Sequence, residues 1–209
     1  MTPRCDLSEP SLCEAADIVR GGGVIAFPTE TFYGLGARPF DARAVQRIVD
    51  LKGRSLRTAP ILVLIRSRTD LHAVVSEITP AAERLMEACW PGPLTLVFRA
   101  AAVPSVLTAG TGTIGVRLPG HPDVQRLLEA IGGPLTGTSA NRSGQPPAMT
   151  AEEVARVLGD GVDAILNGGA TPGGLPSTVV DTTVTPPRVI REGRVPTATV
   201  LTVINSMTA

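Results

Sequence analysis

The chain has 209 residues, and its 19 Lys plus Arg are matched by 19 Asp plus Glu. That balance argues against a protein whose main work is gripping a nucleic-acid backbone or an acidic membrane through bulk charge, although a local basic site remains open. At 43% hydrophobic and 18% charged, with a mean hydropathy of +0.21, the sequence is too apolar for disorder and suits one compact domain over residues 1–209.

Met1 to Asp6 contains no apolar leader segment, and the run from Ala59 to Ile65 is far short of the roughly 18 residues of a membrane span, so a soluble, cytoplasmic chain without membrane contact is predicted. Leu12, Ala15, Ala16 and Val19 recur at helical spacing behind a Ser11-x-x-Glu14 capping box, and Gly21 to Gly23 stop that helix. A buried strand follows at Val24 to Phe27. Asp41 caps a second helix running to about Lys52, and Ile61 to Ile65 reads as another strand. Thr79-Pro80 opens a helix with Ala82, Leu85, Met86 and Cys89 on one face. Strands are predicted at Leu94 to Phe98 and Ile114 to Leu118, then a helix from Pro122 to Ile131 and a strand at Leu135 to Thr138. Thr150-x-x-Glu153 is a second capping box, for a helix to about Leu158. Late strands are expected at Ala164 to Leu166, Thr178 to Val180 and Arg188 to Arg191, while Thr197 to Ile204 suits either a strand or a terminal helix. Partial alternation with strands crowding the C-terminal part predicts an α/β, α+β-like fold: an open twisted mixed sheet with packed helices.

Gly and Pro concentrate in loops at strand ends, namely Pro28 to Pro39, Trp90 to Pro93, Gly110 to Gly115, Gly144 to Pro147 and Gly168 to Pro176. Such loops are where sites are built. Gly110 to Gly115 matches GxGxxG, but Val116-Arg117-Leu118 continues as strand where a dinucleotide fingerprint needs a helix, so the segment reads as a turn. Lys52 lacks the upstream glycine-rich loop of a Walker motif. Ser139 is not in a GxSxG elbow, and His72 and His121 bring no companion motif, so a hydrolytic triad is disfavoured; His72 fits a helix surface and His121 a turn. Cys5, Cys13 and Cys89 are scattered and suggest neither disulfides nor a zinc site. Of the 19 cations 18 are Arg, and Lys52 is the only lysine. Base composition explains such a skew, yet a single retained Lys also suits a site that needs a compact ammonium.

The remaining motifs are Pro28-Thr29-Glu30-Thr31-Phe32-Tyr33-Gly34-Leu35-Gly36, Lys52-Gly53-Arg54, Trp90 to Thr95, Arg117-Leu118-Pro119, Thr138-Ser139-Ala140-Asn141-x-Ser143-Gly144, Ser177 to Asp181 and Arg191-Glu192-Gly193. In this order they resemble the YrdC/Sua5 family of threonylcarbamoyl-AMP synthases from about Val24 to Gly193. The resemblance implies a YrdC-type sheet with a concave basic cavity, a core over about 12–193 with a tail at 194–209, and the short, single-domain form of the family. The activity it implies joins L-threonine, bicarbonate and ATP into L-threonylcarbamoyladenylate and pyrophosphate, the first step of tRNA threonylcarbamoyladenosine formation. A separate tRNA threonylcarbamoyl transferase takes the product, and weak tRNA contact is a further expectation.

By the same resemblance Lys52 and Arg54 are the catalytic cations. Thr58, Thr113, Ser139, Asn141 and Arg191 join them around ATP, while Thr31, Arg117 and Ser177 hold threonine. The chemistry agrees, because a carbamate oxygen must attack the α-phosphorus as pyrophosphate leaves, and so much negative charge in one place needs fixed cations and positioning hydroxyls. Mg²⁺ is expected with ATP, its protein ligands open between Asp181, Glu30 and none. Tyr33 and Trp90 suit either the cavity wall or the core. The chain departs from the family pattern at Ser55 and Ala59, where Pro and a further Lys are usual. Arg57 is the candidate substitute, and nucleotide affinity is what this departure puts in question. Two rival readings are an RNA-binding module, against which the neutral charge and six aromatics weigh, and a carbamoyl-adenylate-handling domain of the hydrogenase-maturation type that works without threonine.

Overall fold

The computed structural model of the protein describes residues 2–53 and 60–205. Its strands are β1 (Arg4–Cys5), β2 (Ile25–Phe27), β3 (Gly34–Gly36), β4 (Val63–Leu64), β5 (Leu94–Arg99), β6 (Thr113–Arg117), β7 (Leu135–Thr136), β8 (Thr138–Ser139), β9 (Ala164–Leu166), β10 (Thr178–Asp181) and β11 (Arg188–Arg191). Its helices are α1 (Glu9–Arg20), α2 (Ala42–Leu51), α3 (Arg68–Val74), α4 (Pro80–Cys89), α5 (Ser105–Thr108), α6 (Pro122–Ile131), α7 (Ala151–Leu158) and α8 (Thr197–Asn205). No helix among the described residues is long and apolar enough to cross a membrane.

Local chemistry sets most helix starts. The Asp41 carboxylate accepts from the Arg43 and Ala44 amides, the Thr79 hydroxyl from Ala82 and the Thr150 hydroxyl from Glu153, each satisfying amides that have no partner inside their helix. The expected Ser11 box does not form. Helix α1 begins three residues earlier behind Ser8, because the Ser8 and Ser11 hydroxyls both donate to Asp6 Oδ1, at 2.5 and 2.7 Å, and this draws them away from the helix amides. The 197–204 tail resolves to helix α8, since Val200 and Ile204, four residues apart, bury one face in the core beside α4.

The strands form two mixed sheets rather than one continuous sheet, in the orders β1-β9-β2-β3-β8 and β11-β10-β5-β6-β4-β7. The predicted Leu135 to Thr138 strand is divided between them. Thr136 closes the six-stranded sheet, Thr138 opens the last strand of the other, and Gly137 is the crossing point. A Cβ at Gly137 would come within 2.7 Å of the Leu64 side chain, so the chain can pass so close only as glycine. Thr136 fastens the seam, its amide donating to Ala37 O at 2.9 Å while its hydroxyl accepts the Ala37 amide at 2.8 Å.

Helices α1 and α6 cover the five-stranded sheet through Leu12, Val19, Leu127 and Leu128, packed on Ile25, Phe27 and Leu166. The larger core joins α2, α4, α7 and α8 to Leu96, Phe98, Ile114, Val116 and Val180 of the six-stranded sheet. Side chains alternate along a strand, so burying that set turns Thr95, Val97 and Arg99 of β5, Thr113, Gly115 and Arg117 of β6, and Val179 and Asp181 of β10 to the opposite face.

Candidate active site

This second face of the six-stranded sheet carries the site. It is covered at the Arg117 end, where Thr95, Arg117 and Ser177 are each less than a tenth exposed, and it opens toward Thr113 and the exposed Arg99.

Arg117 is the last residue of β6. Its Nε donates to Gly92 O at 2.9 Å, and its outer guanidinium nitrogen meets the Glu30 carboxylate. Burial, with the Arg194 charge adding, lowers the Arg117 guanidinium to about 10, which leaves it charged at neutral pH. Glu30 lies in the turn after β2. The Thr29 hydroxyl accepts from the Thr31 amide at 3.2 Å and donates to Phe32 O at 2.6 Å, and Arg194 Nη1 donates to Glu30 O at 2.8 Å. Thr31, buried, follows Glu30 in this turn.

Ser177 Oγ lies 2.9 Å from Thr95 Oγ1 on the neighbouring strand, and the Arg191 guanidinium reaches Ser177 O at 2.9 Å. That approach depends on Gly193, where a Cβ would fall 2.1 Å from Pro176 O. The amides of Gly193 and Val195 both donate to Thr178 Oγ1, at 2.9 and 3.0 Å. The Arg191-Glu192-Gly193 motif is therefore the clamp that brings β11 over Ser177.

A second polar group is built on β8, whose Ser139 pairs with Gly34 of β3, two residues past the Thr29 to Phe32 turn. Lys52 ends α2, is 1% exposed, and donates from Nζ to Ser139 O at 2.5 Å, Asn141 Oδ1 at 2.8 Å and Asn141 O at 3.1 Å. Ser139 Oγ also donates to Asn141 Oδ1, at 2.7 Å. The lone ammonium thus organises the Thr138 to Gly144 loop. Arg54 and Thr58, with Ser55, Arg57 and Ala59, lie outside the described residues. Thr113 shares the face of Arg117 but sits at the far end of β6, about 13 Å away at strand rise, within reach only of an extended ligand.

Sequence reasoning left Thr95 and Arg194 unassigned and considered Glu30 only for Mg²⁺. The alternation of Thr95 with Leu94 and Leu96 was the signal for the first, whereas Arg194 enters through a tertiary clamp that leaves no local mark. Tyr33 and Trp90 belong to the larger core. The Tyr33 hydroxyl donates to Gly169 O at 2.8 Å, and Trp90 Nε1 donates to Leu94 O at 2.7 Å. His72 is exposed on α3, and the Gly110 to Gly112 turn leads into strand β6, both as expected. The three cysteines carry free thiols. Asp181 is occupied by the Thr183 amide and hydroxyl, at 2.9 and 2.6 Å, and among the described residues no three His, Cys, Asp or Glu side chains converge as a metal cage.

Fold and geometry together define a two-sheet α/β protein with a hydroxyl-rich sheet face that carries the buried Arg117. More particularly, the chain belongs to the Sua5/YciO/YrdC family: the family model, described as telomere recombination, matches residues 17–193. The threonylcarbamoyl-AMP synthase of Pyrococcus abyssi (strain GE5 / Orsay) is 42% identical over 183 residues, which are 87% of this chain and 54% of that protein. That of Vibrio parahaemolyticus serotype O3:K6 is 37% identical over 182 residues, 86% of this chain and 97% of that protein. The chain therefore spans about half the archaeal relative and nearly all of the bacterial one. The crystal structure of P. abyssi Sua5 complexed with L-threonine superposes with a TM-score of 0.90 at 40% identity, covering 98% of this chain and 60% of that one.

Proposed function

We propose that this protein is a threonylcarbamoyl-AMP synthase, making L-threonylcarbamoyladenylate and pyrophosphate from L-threonine, bicarbonate and ATP. The observation that supports the reading is the buried Arg117, held against Glu30 next to Thr31 in the chain, at the same covered sheet end as the Thr95–Ser177 pair, together with the Lys52-bound Ser139–Asn141 loop. A guanidinium and hydroxyls in a desolvated corner suit a hydroxylated amino acid, and the neighbouring loop suits phosphate oxygens.

In this mechanism Arg117 holds the threonine carboxylate, while Thr31 and Ser177 orient the rest of the amino acid. The amine and bicarbonate form a carbamate with loss of water. A carbamate oxygen then bonds to the α-phosphorus of ATP, the bond from that phosphorus to the β-phosphate oxygen breaks, and pyrophosphate carries off the electron pair. Ser139, Asn141 and Arg191, with Arg54 and Thr58, position the nucleotide along the face toward Thr113. The sheet face and its loops form the concave basic cavity of this proposal. Mg²⁺ would accompany ATP and neutralise its phosphates. The product passes to a tRNA threonylcarbamoyl transferase in the cytoplasm, with at most weak contact to tRNA.

The test incubates purified protein with ATP, Mg²⁺, labelled bicarbonate and single amino acids. Threonine-dependent pyrophosphate release with label in an adenylate is expected. Turnover without any amino acid would point to carbamoyl-adenylate handling, and RNA binding without turnover to a recognition module; either result overturns the proposal.

A further inference from the structure

The Arg117–Glu30 pair occupies the corner where the ligand carboxylate has to arrive. Arg117 is 5% exposed, both Glu30 carboxylate oxygens are buried, and the pair meets across two segments far apart in sequence. Each partner is fixed from behind, Arg117 by Gly92 O and the Glu30 backbone by Arg194. Two desolvated charges in contact cannot be separated cheaply unless each finds a new partner. A ligand bearing only a carboxylate would crowd a second anion onto Arg117 or leave the Glu30 carboxylate stranded. An α-amino acid brings both charges on one carbon atom, so the groups that receive them have to be neighbours, as Glu30 and Arg117 are.

We propose that Glu30 receives the α-ammonium of the amino-acid substrate while Arg117 takes its carboxylate, so that the buried pair opens into two pairs without a change of net charge. This rests on the amino-acid reading of the site given above. It makes Glu30 the residue that selects a zwitterion over a simple hydroxy acid, and it gives Arg117 a neutralising partner in the unliganded protein. Among the described residues Arg194 and the His121 imidazole also act on Arg117, and Arg194 stays on the Glu30 carbonyl and holds the turn in register during the exchange.

Titration calorimetry of wild type and Glu30→Gln with L-threonine and with 3-hydroxybutanoate, which keeps the carboxylate and hydroxyl but lacks the amine, tests this directly. Wild type is expected to prefer threonine by at least tenfold. In Glu30→Gln threonine should weaken at least tenfold and hydroxybutanoate should bind as well as before or better, erasing the preference. Equal gains for both ligands would make Glu30 a mere plug on Arg117 and overturn the proposal, as would an unchanged preference. Should Glu30→Gln fail to fold by circular dichroism, Glu30→Asp must retain the preference, and equal binding of the two ligands by wild type refutes the inference with no variant at all. Failure of the underlying reading looks different: wild type would then release no pyrophosphate in response to threonine.

Discussion

Lys52→Met removes one ammonium while nearly conserving the volume of the side chain, and the structure says what that ammonium does. It is 1% exposed and reaches three oxygens of one loop, at 2.5, 2.8 and 3.1 Å, while its own carbonyl accepts the Ser143 amide at 2.8 Å. Hydrogen bonds to a charged group contribute about 1.5–3 kcal/mol each. The three do not add, because Asn141 is half-buried and water can replace the bonds there, and because removing a desolvated charge returns part of the cost. A net loss of about 3 kcal/mol is expected, which at roughly 2–4 °C per kcal/mol for a chain of this size lowers the midpoint by about 6–12 °C.

Differential scanning calorimetry and urea denaturation measure the loss, and pyrophosphate release measures its consequence. Turnover should fall about tenfold or more as the Ser139–Asn141 loop shifts from the site. Lys52→Arg should not rescue it, because a planar fork cannot occupy a hole shaped for a compact ammonium. A midpoint within about 2 °C of wild type would mean that the three bonds contribute almost nothing to stability. Lost turnover at wild-type stability would refute the loop argument and leave Lys52 acting on phosphate alone.

Gly193→Ala is expected to destabilise by about 2–3 kcal/mol, since the new methyl would lie 2.1 Å from Pro176 O and a backbone atom cannot step aside, and threonine affinity should fall with it as Ser177 moves; wild-type urea midpoints would refute the close approach. Stability should also fall in two steps as pH is lowered. Burial holds the His121 imidazole below its ordinary 6.5, so the unfolded chain takes up a proton that the folded one refuses and stability declines below that value, a step that His121→Gln removes. Hydrogen bonds from Arg66 hold the Asp70 carboxyl below 3.8, so its contribution is present above 3.8 and is lost as pH falls through the lower folded value. A melting temperature that stays flat from pH 7.5 to about 5 would contradict the first step.

What the sequence made legible is what depends on short-range chemistry. Asp41, Thr79 and Thr150 cap helices where their side chains reach amides two or three residues ahead, and Pro122 to Ile131 forms a helix with the predicted ends because its apolar spacing and Gly132 stop are both local. Ser11 misled for the same reason: a capping oxygen is indifferent to which nearby partner it takes, and Asp6 outcompeted the helix amides. The division into two sheets could not be read, because the Leu135 to Thr138 run is uniformly suited to a strand and the close approach to Leu64 that Gly137 permits is a tertiary contact. In the site, the motifs identified Lys52, Arg117, Ser139 and Ser177 as belonging together, but the spacing of a motif carries no information about what each charge faces. The lysine expected at the phosphates also holds a loop, and a glutamate considered for Mg²⁺ faces the guanidinium expected to hold threonine. The first role comes from neutral loop oxygens that converge on one ammonium and the second from charge balance in a desolvated corner, and both depend on which segments meet there.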